Sequence, residues 1–198
     1  MNFKKNIKRL FRLGLISKKL KSIYRVYAYI GQEVICMVCN WHGKQFFEGK
    51  CPKCHSLPRT RLVPFSFKHF NLLKDSLKIL HIAPNKTEFD FIRTRIGNIA
   101  IYDRMDILPY KHVNLLKDIT NSNLGTGSYD LIVAWHLFEH IPDDRKAISE
   151  VYRILAQGGK ALVSVPIYPK GNEITYEDSL IKYEDYEKTH GHFDHCRS

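Results

Sequence analysis

The sequence predicts an α/β protein: a doubly wound parallel sheet of about five strands, preceded by a small metal-stapled module and a basic arm. Three observations predict it. From about Leu77 onward, short apolar runs alternate with helix-period segments across tight turns. Ahead of them, Cys36-x-x-Cys39 and Cys51-x-x-Cys54 are separated by eleven residues. Charge collects at the start: residues 1–30 hold nine Lys/Arg and no acid, whereas the other 168 residues carry 22 basic and 20 acidic side chains. The net charge of +11 therefore describes the arm rather than the body.

A chain of 198 residues with 44% hydrophobic side chains holds one ordinary domain plus a small appendage. The expected division is 1–30 for the arm, 31–62 for the cysteine module and 63–198 for the main domain. No apolar run approaches the roughly 20 residues that cross a bilayer. Basic residues interrupt every candidate core of a secretory signal, so the expected compartment is the cytoplasm.

In the arm, Phe3, Ile7, Leu10 and Phe11 fall at helical spacing between lysines and arginines. A basic amphipathic helix of this kind suits an anionic membrane surface or nucleic acid. The plainer readings are a solvated extension or a helix packed on its own domain.

The stretch "CMVCNWHGKQFFEGKCPKC" is the strongest local signal. Two Cys-x-x-Cys turns can converge four thiolates, Cys36, Cys39, Cys51 and Cys54, on one tetrahedral Zn2+ with no open position. Trp41, Phe46 and Phe47 are too few to form a core, and a metal can supply the missing folding energy, on the order of 10 kcal/mol. The alternatives are two disulfides or four free thiols. His42 and His55 flank the turns but are not needed as ligands. Arg59 and Arg61 follow, able to touch phosphate or to pair with acids of the main domain.

The main domain is read element by element. "KILHIA" is a strand. "KTEFDFIRTRI" is a helix with Thr87 as a plausible cap and Phe89, Ile92 and Ile96 on one face. "NIAIYD" is a second strand ending in Asp103. "HVNLLKDI" holds a short third strand leading to Asp118. Leu131 to Trp135 is a fourth, continuously apolar as a buried parallel strand should be. "PDDRKAISEVYRIL" is an amphipathic helix with Ala147, Ile148, Val151, Ile154 and Leu155 as its stripe, stopped by Gly158-Gly159. "KALVSVPI" is the fifth strand. Ligands of such sheets bind beyond the carboxyl ends of the strands where strand order reverses. The candidates there are His81 to Asn85, Asp103, Asp118 and Trp135 to His140.

The run "YDLIVAWHLFEHIPDDRKAISEVYRILAQGGKALVSVPI" resembles type 11-like class I S-adenosylmethionine-dependent methyltransferases. "ICMVCNWHG…CPKCHSLPRTRL" followed by "LHIAP" resembles a bacterial subgroup with an N-terminal zinc ribbon. That subgroup replaces the glycine-rich turn after strand one with a His-x-Ala-Pro turn. The resemblance implies a Rossmann-like fold, S-adenosylmethionine as cofactor and methyl transfer to an unidentified acceptor. It implies that His81, Ala83 and Pro84 form the turn beside the methionyl part. It makes Asp103 the acid that accepts from both ribose hydroxyls, with Asp106 as a rival. Asp118 would receive the adenine amino group while Ile119 packs on the ring. Trp135 and His136 would stand near the reactive methyl, with His136 as candidate base, and Glu139 and His140 would brace the helix.

The tail "HGHFDHCRS" offers His190, His192, Asp194 and His195 as a possible metal cluster, with Cys196 as a fourth ligand. It also resembles the "D-H-x-R" stretch that would place His195 and Arg197 at the mouth of the site, with His195 a second catalytic candidate. Members of the family continue with a helix and a last antiparallel hairpin, which the 198 residues do not contain; the fifth strand is then expected to be a sheet edge. The competing expectations are a ribbon-and-arm binding protein on a degenerate scaffold, or an inactive truncated fragment.

Overall fold

Strand formation in the second half of the chain follows the apolar runs, and the sheet they build sets the geometry of everything else. The computed structural model describes residues 17–72, 76–95, 101–171, 173–174, 176–177 and 180–197. Two compact units appear, Met1–Leu73 and Lys74–Ser198. The apolar face expected at Phe3 to Phe11 lies outside the described residues.

In the first unit, α1 (Lys18–Ala28) starts at Ser17, whose hydroxyl accepts from the Leu20 N–H. β1 (Ile30–Ile35) and β2 (His42–Gly43) pair antiparallel. Cys36, Trp41 and Cys51 form the buried centre, with Val26 and Tyr29 packed against it. Trp41 Nε1 donates to the Val26 carbonyl at 3.1 Å. The described part of the arm is thus a helix fastened to the ribbon. Gly43 permits this packing, because a Cβ there would lie 1.9 Å from the Trp41 ring. α2 (Pro58–His69) completes the unit, with proline at its first position where no N–H is missed.

The second unit is a five-stranded parallel sheet. Its strands are β3 (Lys78–Ile82), β4 (Ile101–Asp106), β5 (Leu115–Leu116), β6 (Tyr129–Trp135) and β7 (Leu155–Ser164). Their order is β5-β4-β3-β6-β7, all pairs parallel, so strand order reverses between β3 and β6. Leu80, Ile82, Met105, Ile132 and Ala134 join Ala147, Val151 and Ile154 in the core.

Several element boundaries differ from the sequence reading. The second strand runs Ile101–Asp106 rather than ending at Asp103. A charged residue looked like a terminus, but Asp103 is satisfied by side chains and the strand continues. α3 (Lys86–Arg95) is capped by Asn85 rather than Thr87. Asn85 Oδ1 accepts from the Glu88 N–H at 3.0 Å and Glu88 Oε2 accepts from the Asn85 N–H at 3.3 Å, a reciprocal capping box. Its buried residues are Glu88, Phe91 and Ile92, while Ile96 lies outside the described residues. α4 (Asp144–Ile154) begins at Asp143 and ends where Leu155 turns extended. Gly158 and Gly159 therefore lie inside β7 instead of stopping the helix. The stripe narrows to Ala147, Val151 and Ile154, and Ile148 is half exposed.

Candidate active site

The cavity of the second unit opens at the carboxyl ends of four strands, beside the reversal of strand order. It encloses about 780 Å³, within the range of ligand sites. Ile82 and Ala83 reach it from β3, Asp106 and Leu108 from β4, Asp118 and Ile119 from β5, His136 and Leu137 from β6. His140, Pro142 and Asp194 complete the wall.

The turn after β3 answers for its missing glycine. Ala83 adopts φ +48°, the left-handed conformation that glycine takes most readily. Its N–H donates to the Met105 carbonyl at 2.7 Å, which ties the turn to the end of β4. Alanine is small enough to adopt this shape at a cost of about 1 kcal/mol. The backbone thus bends without the glycines.

Asp103 is set differently from the expectation. Asn114 Nδ2 donates to its Oδ1 at 2.8 Å, and the Tyr129 hydroxyl donates to its Oδ2 at 2.6 Å. Burial and the neighbouring Asp103 push the Tyr129 phenol up, so it stays a donor. Asp103 pairs with Leu80 in mid-sheet and is not among the cavity residues. Asp106, its rival, ends β4 and lines the cavity. One of its oxygens, Oδ1, accepts from the Leu108 N–H at 2.9 Å. Three positions along a strand exchange faces, which separates the two acids.

Asp118 and Ile119 lie on the cavity wall. Asp118 Oδ1 accepts from Thr120 N–H at 2.8 Å and from Thr120 Oγ1 at 2.9 Å, and Ile119 is buried. His136 also lines the cavity, with φ +52°. Its N–H extends the β6–β7 ladder by donating to the Ser164 carbonyl. Its Nδ1 lies 3.1 Å from Oε1 of the buried Glu139.

The remaining candidates are not on the cavity wall. His81 is fully buried in β3, with Nδ1 3.1 Å from the Tyr102 hydroxyl and Nε2 3.6 Å from Glu88. Pro84 is buried, and its carbonyl accepts from His112 Nε2 at 2.6 Å. Trp135 is buried at the end of β6. His195 is buried behind His140, their ring centroids 4.9 Å apart. Burial and the nearby His140 lower its pKa. Arg197 is no mouth residue: it donates to the carbonyls of Phe138, Ile141 and Pro142 at 2.7–2.9 Å and to Glu177 at 3.0 Å. It clamps the turn between β6 and α4, which is the physical sense of the "D-H-x-R" motif here. Sequence reasoning also passed over Leu108 and Tyr110, an apolar lip on the loop after β4; a correct end for that strand would have found them.

A second hollow of about 460 Å³ lies between α4 and β7. Ile148, Val151, Tyr152, Ala161, Val163 and Val165 give it apolar walls at the sheet edge, and Phe138, Glu139, Asp144 and Arg197 close it beside the turn after β6. Its two acids are Glu139 and Asp144, and Asp144 stands 3.4 Å from the Arg197 guanidinium.

In the first unit the four cysteines converge, with ligand atoms all within 4.8 Å of one another. Sγ of Cys36 and Cys54 are 3.6 Å apart, and those of Cys39 and Cys51 3.7 Å. Four thiolates around one zinc at 2.3 Å stand about 3.8 Å apart, so the cluster has the dimensions of a zinc site. A disulfide needs about 2.05 Å, and all five cysteines are free. Hydrogen bonding from Cys51 and Cys54 holds Cys36 well below the usual thiol range, while burial pushes Cys39 up to about 12. Arg61 serves the ribbon itself, donating to the Gly49 and Ser56 carbonyls and lying 3.8 Å above the Phe46 ring.

A parallel sheet with this strand order, with its cavity at the strand ends, defines a Rossmann-like domain. The family is narrower still. Residues 40–198 match the family model of a methyltransferase domain, and the chain belongs to that family. A protein of Mycolicibacterium smegmatis, provisionally assigned as an S-adenosylmethionine-dependent methyltransferase, is 31% identical over 99 residues. The match covers 50% of this chain and 34% of that relative, so the chain spans about a third of its length. A solved structure from Galdieria sulphuraria, provisionally assigned as a sarcosine dimethylglycine methyltransferase, has TM-score 0.52 at 15% identity. It covers 87% of this chain and 65% of its own, and shares the fold. A provisionally assigned methyltransferase of Bacillus halodurans gives TM-score 0.47 at 16% identity, over 67% and 57% of the two chains.

Proposed function

We propose that the second unit binds S-adenosylmethionine across the ends of β3, β4 and β5 and transfers its methyl group to an acceptor beside His136. The observation that carries this is the placing of Asp106, Asp118 and Ile119 on one cavity wall within a methyltransferase-family domain. When bound, the cofactor supplies an electrophilic methyl on a sulfonium.

The residues present fit it. Asp106 offers a carboxylate to the two ribose hydroxyls, the role first expected of Asp103. Asp118 accepts from the adenine amino group, and Ile119 supplies an apolar surface for the ring. The left-handed Ala83 lets the backbone pass the methionyl part. Holding donor and acceptor in line supplies most of the rate, since orientation alone can lower such a barrier by about 7–11 kcal/mol.

His136 is suited to be the base. The Glu139 carboxylate accepts from its Nδ1–H, which fixes the tautomer and leaves Nε2 as the acceptor. Held there, S-adenosylmethionine would supply the methyl group, the C–S bonding pair leaving with sulfur. The new bond forms from an acceptor oxygen or nitrogen, whose proton passes to Nε2. In the first unit the four cysteines hold a structural zinc with no open position and take no part in this chemistry.

Titration calorimetry of the full chain with S-adenosylmethionine tests the reading. Saturable one-to-one binding is expected, weakened by Asp118→Ala. Absence of heat at millimolar ligand would remove the enzymatic reading for this chain.

A further inference from the structure

Around the tail, a second group of metal-ligating side chains assembles from two distant parts of the sequence. Glu139 and His140 come from the turn after β6, and His195 from the tail, and their ligand atoms all lie within 4.8 Å of one another. The tail alone suggested a cluster completed by Cys196. Instead the Cys196 thiol donates to the Glu139 carbonyl, and the tail brings His195 to Glu139 and His140.

We propose that Glu139, His140 and His195 form a second metal site, separate from the cysteine cluster, for a divalent transition-metal cation. Two independent features support it beyond proximity. First, Glu139 is 2% exposed and His195 9%, yet among the described residues Glu139 Oε2 and His195 Nδ1 are buried without a hydrogen-bond partner. Buried polar atoms left unpaired cost about 1–3 kcal/mol each, and a cation satisfies both. Second, His140 is already oriented as a ligand. Its Nδ1 lies 3.2 Å from the Asp194 carbonyl and 3.4 Å from the Asp194 carboxylate. Both groups accept, so Nδ1 carries the proton and Nε2 keeps its lone pair. Metal-binding histidines are held by this kind of carboxylate contact.

Nε2 of His140 is 3.9 Å from Glu139 Oε1. That is too long for a hydrogen bond and some tenths of an ångström above the roughly 3.4 Å between two donors on one tetrahedral ion. A small closure of the turn completes the site. Two histidines and one carboxylate suit zinc, iron, nickel or manganese rather than calcium or magnesium. His192 and Asp194 form an overlapping group with His195, so a second carboxylate balances the ion's charge.

Three protein donors leave coordination positions open. His140 and Asp194 line the main cavity, and His136 shares the Glu139 carboxylate, so those positions open toward the acceptor side. An oxygen-bearing ligand there would be bound and acidified by the ion. The metal site itself stands or falls independently of the cofactor reading.

The test uses the full chain incubated with Zn2+, freed of loose metal by gel filtration, and assayed for zinc per chain. The wild type should carry one zinc more than His140→Ala and one more than His195→Gln. His140 is about a third exposed, so its removal leaves the fold intact, as circular dichroism will confirm. Should His195→Gln fail to fold, His140→Ala alone decides. Asp194→Asn removes the second carboxylate and its contact to His140 Nδ1 but leaves the main-chain carbonyl, and should keep the stoichiometry and bind zinc about 10- to 100-fold more weakly. Equal zinc content in wild type and His140→Ala overturns the proposal.

Discussion

Asp103 and Asp106 show how much a single position matters on a strand. Both are acids on β4, and only Asp106 reaches the cavity. Both Asp103 oxygens are accepting, from Asn114 and Tyr129, so its charge serves the sheet. Their spacing puts them on opposite faces of β4, but which face meets the cavity is not written in "IYDRMDIL"; the other face is marked by Tyr129, 26 residues away. Another carboxylate gives a residue-scale prediction. Arg153 and Ser122 donate to Glu150 at 2.6–2.7 Å and hold its carboxyl down at about 2, from an ordinary 4.5. A depressed folded-state value means stability that is present above pH 4.5 and lost as pH falls through about 2. Denaturant unfolding should therefore show wild type more stable than Glu150→Gln above pH 4.5, with the gap closing toward pH 2. A gap independent of pH would contradict the ion pair's role.

At the scale of elements, the four-cysteine ribbon was the most legible and the β6–α4 turn the least. Paired Cys-x-x-Cys turns constrain chemistry so tightly that spacing alone brings the four thiols together. The turn's architecture depends on Arg197, more than fifty residues later, and on a buried Glu139; neither leaves a local signature. α3 sits between these extremes: the helix was legible, but its Asn85–Glu88 capping box was passed over for Thr87. The ribbon yields a metal-removal prediction. Trp41 is 5% exposed on the cysteine cluster. In a Trp135→Phe background, stripping zinc with a chelator should shift Trp41 emission to the red and abolish the ribbon's β structure. Metal binding of such modules is worth about 10–16 kcal/mol, far more than three aromatics can replace. Unchanged emission after zinc is gone would show that the thiols fold the ribbon unaided.

For the whole molecule, the alternation of apolar runs and helix-period segments was enough to foresee a five-stranded parallel sheet. Burial of the central strands β3 and β6 and short crossovers leave few other arrangements. The site was legible to the extent that it follows from topology: Ala83, Asp118, Ile119 and His136 come to the cavity because strand ends do. It was not legible where side chains choose partners across the sheet, as His81 does with Tyr102 and Glu88. Among the described residues no helix is long and apolar enough to cross a membrane.

The central claim is that Asp106, not Asp103, grips the cofactor's sugar. The direct measurement is calorimetric affinity for S-adenosylmethionine of Asp106→Asn and Asp103→Asn beside the wild type, each at a temperature where it is folded. Losing two charge-assisted hydrogen bonds should weaken Asp106→Asn by about 100-fold or more, with Asp103→Asn within about threefold of wild type. The reverse ranking, or two variants equally unimpaired, would contradict the placement of the cofactor.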